Sequence, residues 1–207
     1  MNNLAYTSQQ PDKVVPKIEE ILRKDLGVDA PVPLAVEDVN VSKANVGSMV
    51  HDAGLVLFGG KEALLFTVAF DIAAPRPVKL TAQVNRVGIG CHVGTLVFST
   101  KIAKPVKGEV ALEAPKTFGA SKFQGDVEAA GKLNASKDLL KRVDKFSRTK
   151  SDVGGGIRMD RYFKLAPAES GSVLVVGTLP RATSMGMGAT TDAKEFIDIA
   201  KMIEDLL

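Results

Sequence analysis

The segment from Phe123 to Leu133 alternates between two kinds of side chain at every residue. One set of positions begins with Phe123 and includes Val127, and the other set is mostly polar or charged. A period of two predicts a β-strand with one face towards a core and the other towards water. This feature constrains the fold most, because such a strand needs neighbouring strands and a layer that covers its apolar face.

The inward positions of this predicted strand are unusually small. Gly125, Ala129 and Gly131 stand where a packed strand carries Val, Ile or Leu. Small inward residues indicate a tight bend of the sheet, a covering helix or a bound ligand. The pattern leaves a ligand cleft and a tightly coiled strand as alternatives, because both require small residues.

Three helices are predicted from apolar side chains at helical spacing. They cover residues 12–26, 136–148 and 193–206. Gly27 is a suitable stop for the first helix, and Ser136 is a suitable N-cap for the second. Asp192 and Glu195 stand at the spacing of a capping box before the third helix.

The remaining pattern predicts strands that follow one another along the chain. These strands cover residues 54–60, 63–72, 78–85, 96–102, 109–113, 123–133, 157–165 and 172–179. Because the strands do not alternate with helices, the order predicts an α+β fold rather than a parallel doubly wound one. We expect a curved antiparallel sheet of about six to nine strands with helices packed on one face and the C-terminal helix as cover. The chain is interpreted as a single α+β domain over residues 1–207, with residues 1–10 flexible.

The charge and composition exclude several classes of protein. Hydrophobic residues make up 45% of the chain, which indicates a folded protein with a full core. Twenty-seven basic against 24 acidic residues give a net charge of +3, without the strong excess of a dedicated nucleic-acid binder. The helix predicted over 136–148 is basic, but it lacks aromatic residues for base stacking, and a solvated helix face explains it.

The cellular compartment is predicted from the number of cysteines and from the lack of membrane-span and signal-peptide patterns in the sequence. A single Cys excludes an internal disulfide and a Cys-rich zinc site. No segment approaches the roughly 20 apolar residues of a membrane span, and the first residues do not follow the pattern of a signal peptide. We therefore expect a cytoplasmic protein with no membrane span.

The glycine-rich segment Gly88–Gly94 resembles a phosphate-binding loop, and it contains Cys91 and His92. Its third glycine is one position late for the dinucleotide fingerprint, and a strand follows instead of a helix. A turn between two strands explains the glycines better. Adjacent residues on a strand point to opposite faces, so Cys91 and His92 do not form a nucleophile pair. The histidine spacing matches no metal motif, and no metal or cofactor is expected.

The loop before the last helix is the second candidate for ligand contact. It leads into a helix N-terminus, where free N–H groups and the helix dipole favour an anion. Methionines in such a loop adapt to irregular apolar partners. The predicted contact residues of this loop are Arg181, Thr183, Ser184, Met185, Met187 and Thr190. The alternative is a solvated loop that carries an ordinary helix cap.

Three functions follow from these features. The first is a small-molecule binding protein that holds an apolar or amphipathic ligand between sheet and helices, with Gly125, Ala129 and Gly131 along the cleft. The second is an enzyme for a phosphorylated or anionic small substrate, which needs the 181–191 loop to converge with His51 or His92. The third is a self-assembling structural or adaptor protein that pairs through strand edges or the last helix.

Overall fold

A computed structural model describes residues 5–27, 34–37, 64–73, 75–113, 121–146, 163–178, 181–182 and 189–207. The described helices are α1 (Pro11–Leu26), α2 (Val127–Ala135), α3 (Lys137–Phe146) and α4 (Ala193–Leu206). The described strands are β1 (Ala5–Tyr6), β2 (Leu34–Glu37), β3 (Leu64–Ile72), β4 (Val78–Val87), β5 (Gly90–Ile102), β6 (Val110–Glu113), β7 (Lys122–Gly125), β8 (Phe163–Pro167), β9 (Ser172–Thr178), β10 (Arg181–Ala182) and β11 (Ala189–Thr190).

Strands β1 to β9 build one open antiparallel sheet, and the predicted α+β class is confirmed. The sheet order is β2-β3-β4-β5-β9-β8-β6-β7. β1 pairs with the first part of β5, where Ala5 lies opposite His92 and Tyr6 lies opposite Cys91. Residues 5 and 6, which fall in the segment predicted to be flexible, thus have strand partners. β10 and β11 form a separate two-stranded ribbon.

One face of the sheet is apolar because side chains alternate across each strand. Leu80 lies opposite both Phe70 and Phe98, and Phe98 lies opposite Val176, so one apolar row crosses four strands. A second row runs through Leu165, Val110 and the neighbouring strands at the other side of the sheet. All of these side chains are buried in one cluster.

Three phenylalanines connect this face to the helices. The ring of Phe98 on β5 stacks on Phe196 of α4 at 4.9 Å between centroids, and Phe146 of α3 lies 5.7 Å from Phe98. Aromatic pairs at this separation add favourable ring contacts to the burial of apolar area. The C-terminal helix therefore covers the sheet as predicted.

The opposite face of the sheet carries polar side chains together with some apolar ones such as Ala69 and Val97, and much of it is also buried. The buried polar side chains here are Thr67, Gln83, Asn85, Thr95 and Ser99. At the end of the sheet where β3 connects to β4, the same face carries the exposed residues Asp71, Lys79 and Lys101. We call this surface the polar face.

The prediction of one strand over Phe123–Leu133 is wrong. β7 ends at Gly125, and α2 begins at Val127. Gly125 has φ 111°, a conformation that favours glycine, and a Cβ there would clash with the Glu109 carbonyl oxygen. The chain turns at this point and does not continue as a strand.

A helix N-cap explains why α2 begins where it does. The Asp126 side chain accepts hydrogen bonds from the N–H groups of Glu128 and Ala129, each at 3.1 Å. Such caps satisfy backbone donors that a helix leaves free. Ala129, Ala130 and Leu133 then share the buried side of α2. The spacing of these three residues fits a helix. Because Ala and Gly are small, the same segment also fits the period of two from which a strand was predicted.

The other predicted helices agree closely with the structure. α1 ends at Gly27, whose φ of 67° is the left-handed conformation of a glycine stop. Ser136 precedes α3, and its hydroxyl accepts a hydrogen bond from the Leu139 N–H at 3.3 Å. The bounds of α4 match the prediction, but its expected capping box is wrong, because the Asp192 side chain makes no cap hydrogen bond and the residue has φ 58°.

The predicted strands agree with the structure over most of the described ranges. The strand predicted over 63–72 is β3, which lies between β2 and β4, and the Gly88–Gly94 segment is a turn followed by the start of β5. The strand predicted over 54–60 and the first part of that over 157–165 lie outside the described residues.

Candidate functional site

A cleft of about 900 Å³ lies at one end of the sheet. It is formed where the β3–β4 connection and the end of β5 meet the last turn of α4. Its walls come from the β3–β4 region, the end of β5, the start of β9 and the last turn of α4. The lining residues are Asp71, Ile72, Ala73, Arg76, Pro77, Val78, Lys79, Ser99, Thr100, Lys101, Ile102, Ala103, Ser170, Val173 and Glu204. The lining is mostly apolar. Ligand sites are concave and mostly apolar with a few polar groups, and this cleft has those properties.

Two lysines lie side by side at the cleft. Lys79 on β4 is the cross-strand partner of Ser99 on β5, and Lys101 follows Ser99 on the same face of β5. Diagonal neighbours across an antiparallel pair are about 7–8 Å apart, so their ammonium groups can reach one bound group together. Both lysines are exposed, and neither makes an ion pair with another described residue.

A fixed ion pair forms the wall at the helix end of the cleft. The Arg76 guanidinium pairs with the Glu204 carboxylate, and the other oxygen of Glu204 accepts a hydrogen bond from the Ala103 N–H at 2.6 Å. The Thr100 hydroxyl donates to the Pro77 carbonyl at 2.6 Å. These contacts connect α4 to both chain segments of the cleft. Glu204 pairs with Nη2 of Arg76, whereas the buried Nη1 has no hydrogen-bond partner among the described residues. Lys79 and Lys101 are the lining cations that make no ion pair with a described residue.

The sequence-predicted ligand residues do not line this cleft. Gly125 lies at the exposed end of β7, Ala129 is buried in α2, and Gly131 is exposed with open space where a Cβ would stand. Ala129 and Gly131 are two positions apart on α2 and do not share a face, and Gly125 precedes the helix, so the structure does not gather the three residues around one space. Thr183, Ser184, Met185 and Met187 lie outside the described residues.

The base of the 181–191 loop lies within the described residues, and it binds the Asp25 carboxylate of α1. Arg181 is the cross-strand partner of Thr190 in the β10–β11 ribbon. The Asp25 side chain of α1 accepts hydrogen bonds from the Thr190 hydroxyl at 3.0 Å, the Thr191 N–H at 2.5 Å and the Thr191 hydroxyl at 2.7 Å. The protein thus supplies its own anion just before α4, close to where the sequence predicts a bound anion.

Cys91 and His92 lie on opposite faces of β5, as expected for adjacent strand residues. The Cys91 thiol is buried and donates to the Ser8 carbonyl at 3.1 Å, and burial raises the pKa of this thiol. His92 is half-buried on the polar face. Within the described ranges, no group of three or more His, Cys, Asp or Glu is placed to hold a metal ion. His51 lies outside those ranges.

The cleft residues carry a weak signal in the sequence. Lys79 and Lys101 both stand at outward positions of predicted alternating strands. Nothing local indicates that the two lysines become neighbours, because that depends on the register in which β4 and β5 pair. Sequence reasoning therefore finds both residues on polar strand faces and misses their proximity.

None of the helices in the described part of the chain is long and apolar enough to cross a membrane. Comparison of the chain with protein-family models, with curated proteins and with solved structures finds no match. The function is therefore argued from the geometry of the site.

Proposed function

We propose that the protein binds a small amphipathic anion in the cleft at the end of the sheet. The observation that carries the proposal is the pair of exposed lysines, Lys79 and Lys101, beside a mostly apolar cleft of about 900 Å³. Neither lysine makes an ion pair in the described part of the chain, although Asp71 lies opposite Lys79 across the β3–β4 pair. This volume lies within the range of about 300–1,000 Å³ that is common for small-molecule sites.

The cleft chemistry suggests how such a ligand would lie. Its acidic group contacts Lys79 and Lys101, and the Ser99 hydroxyl between them offers a further hydrogen bond. Its apolar body packs against Val173 and the methylene stems of the lysines, since long charged side chains cover apolar surface with their stems. A neutral molecule of the same shape gains only the apolar part of this interaction.

This position differs from the expected one between sheet and helices. The space between β5 and α4 is filled by the rings of Phe98, Phe146 and Phe196. Phe123 likewise packs on Phe163, with 5.1 Å between ring centroids. The protein is therefore still proposed to bind a small molecule, but at the end of the sheet and not between the sheet and the helices.

The alternatives have less support. The free edge of β7, one candidate for self-assembly, is occupied by the side chain of Asn134. The enzyme hypothesis needs Arg181, Ser184 or Thr190 to converge with His51 or His92. Because Ser184 and His51 lie outside the described residues, it stays a prediction.

Isothermal titration calorimetry with decanoate and decanol tests the proposal. These probes share the apolar chain and differ in charge. We expect decanoate to bind more tightly than decanol. The double variant Lys79→Met, Lys101→Met should bind decanoate about tenfold more weakly than the wild type does, which corresponds to about 1.4 kcal/mol.

The matched control is the double variant Lys137→Met, Lys141→Met, which removes two exposed lysines from α3. It should bind decanoate like the wild type. The proposal is wrong if decanoate does not bind, or if the cleft variant and the α3 variant bind it equally.

A further inference from the structure

Three charged side chains lie next to one another where the polar face meets the cleft. Asp71 of β3 lies directly opposite Lys79 of β4, and Lys79 lies opposite Ser99 of β5, two residues before Lys101. All three charged residues line the cleft and are exposed. The cleft therefore presents one carboxylate as well as two ammonium groups to a ligand.

The Asp71 carboxylate has no partner of its own in the structure. It makes no ion pair with a described residue, although opposite charges that face each other across an antiparallel pair attract. A carboxylate only accepts hydrogen bonds, so an acidic group of a ligand leaves Asp71 unused and is repelled by it. A ligand that also carries a positive charge turns this repulsion into an attraction.

The spacing of the strands indicates how far apart the two charges of the ligand lie. Asp71, Lys79 and Lys101 stand on three neighbouring strands. An acidic group held between Lys79 and Lys101 is one and a half strand spacings, or about 7 Å, from the strand that carries Asp71. This separation favours an ammonium group several bonds from the acidic group over an α-amino acid, in which one carbon atom carries both.

The lining of the cleft also favours one kind of ammonium group. Quaternary ammonium ligands are recognised over the faces of aromatic rings, and the lining residues in the described part of the chain include no aromatic side chain. A primary ammonium group donates hydrogen bonds, which the Asp71 carboxylate accepts. Asp71 therefore suits a primary ammonium group.

We propose that the ligand of the cleft is an amphipathic zwitterion, in which a primary ammonium group stands several bonds from the acidic group. The inference rests on the proposed function, in which the acidic group contacts Lys79 and Lys101, and it adds a contact between the ammonium group and Asp71. Ethanolamine phospholipids with a single acyl chain have this chemistry. Free phosphoethanolamine has the same charged groups without the apolar chain.

Isothermal titration calorimetry with single-chain lipids below their critical micelle concentrations tests the inference. Lauroyl lysophosphatidylethanolamine carries a primary ammonium group, and lauroyl lysophosphatidylcholine carries a quaternary one on the same chain. We expect the ethanolamine lipid to bind about tenfold more tightly than the choline lipid. Free phosphoethanolamine should bind more weakly than the ethanolamine lipid, because it lacks the chain that packs in the cleft.

The variant Asp71→Asn distinguishes a contact with the ammonium group from general damage to the cleft. It should bind the ethanolamine lipid about tenfold more weakly than the wild type does, because the negative charge is lost. It should bind decanoate at least as tightly as the wild type does, because the same charge repels the decanoate carboxylate. The matched control is Asp12→Asn, at an exposed carboxylate of α1, which should bind both probes like the wild type.

The inference is overturned if the choline lipid binds as tightly as the ethanolamine lipid, or if Asp71→Asn weakens the binding of the ethanolamine lipid and of decanoate by the same factor. It is also overturned if free phosphoethanolamine binds as tightly as the ethanolamine lipid. In each of these cases, decanoate binding that depends on Lys79 and Lys101 still supports the proposed function. If neither decanoate nor the ethanolamine lipid binds, both proposals are wrong.

Discussion

Asn134 of α2 forms hydrogen bonds with both backbone groups of Phe123 in β7. Its Oδ1 accepts from the Phe123 N–H at 2.8 Å, and its Nδ2 donates to the Phe123 carbonyl at 2.9 Å. β7 is the last strand of the sheet, and a free strand edge is a template for unwanted pairing. The Asn134 side chain thus takes the place that another strand would occupy.

The variant Asn134→Ala should lower the free energy of unfolding by about 2 kcal/mol, because two partly buried hydrogen bonds are lost at about 1 kcal/mol each. Urea denaturation followed by circular dichroism measures this change. Gln124→Ala is the matched control on the same strand, since that side chain is exposed, and it should change stability by less than about 0.5 kcal/mol. Equal effects of the two variants would contradict the role of Asn134.

Asp126 should make stability depend on acid pH. Its carboxylate accepts from the N–H groups of Lys107 at 2.6 Å and Gly108 at 3.0 Å, in addition to those at the start of α2. The hydrogen bond from the Ala129 N–H, with the other three, holds the pKa of Asp126 below its ordinary value. A lowered pKa contributes stability above the unfolded-state pKa of about 3.9, and this is lost as pH falls through the folded-state value.

The variant Asp126→Asn should therefore be less stable than the wild type at pH 7, and the difference should shrink as the pH falls below about 4. Thermal unfolding between pH 2 and pH 7 measures both effects. Asp12→Asn, at an exposed carboxylate in the first turn of α1, is the control. A wild-type advantage over Asp126→Asn that stays constant with pH would exclude the carboxylate as its cause.

Phe196 should be among the most important core residues. It is fully buried, and its ring lies 4.9 Å from Phe98 and 6.2 Å from Phe146. Phe196→Ala should lower the free energy of unfolding by about 3–5 kcal/mol, because the cavity adds to the lost burial. Chemical denaturation measures the change. Val127→Ala, at a position that is 89% exposed, should have an effect below about 0.5 kcal/mol, and a similar loss in both variants would contradict the packing described.

Cys91 should be unreactive in the folded protein. Its thiol is buried and donates to the Ser8 carbonyl, and burial raises its pKa, so little thiolate is present at neutral pH. As the only cysteine of the chain, it gives a single signal with Ellman's reagent. We expect labelling at pH 7.5 to be at least about tenfold slower in the native state than in urea, following the rare opening of the β1–β5 region. Equal rates in both conditions would show that the thiol is accessible.

The helices show how far local signals reach. α1 and α4 were predicted within one residue of their bounds, since a 3.6-residue apolar period and end signals such as Gly27 act within a few residues. The same reasoning fails at 123–133, where small residues fit a period of two as well as a helix. There, the backbone of Lys107 and Gly108 binds Asp126 and holds the turn that ends β7.

The candidate site lies beyond the reach of sequence patterns for the same reason. The sequence alone determined the α+β class, the helices α1, α3 and α4, and the alternation that places Lys79 and Lys101 at outward positions of their strands. Only the tertiary structure decided which strands are neighbours and in which register. The pairing of Lys79 with Ser99 places Lys79 beside Lys101 at the cleft. Register depends on contacts between distant segments, so no local pattern specifies it.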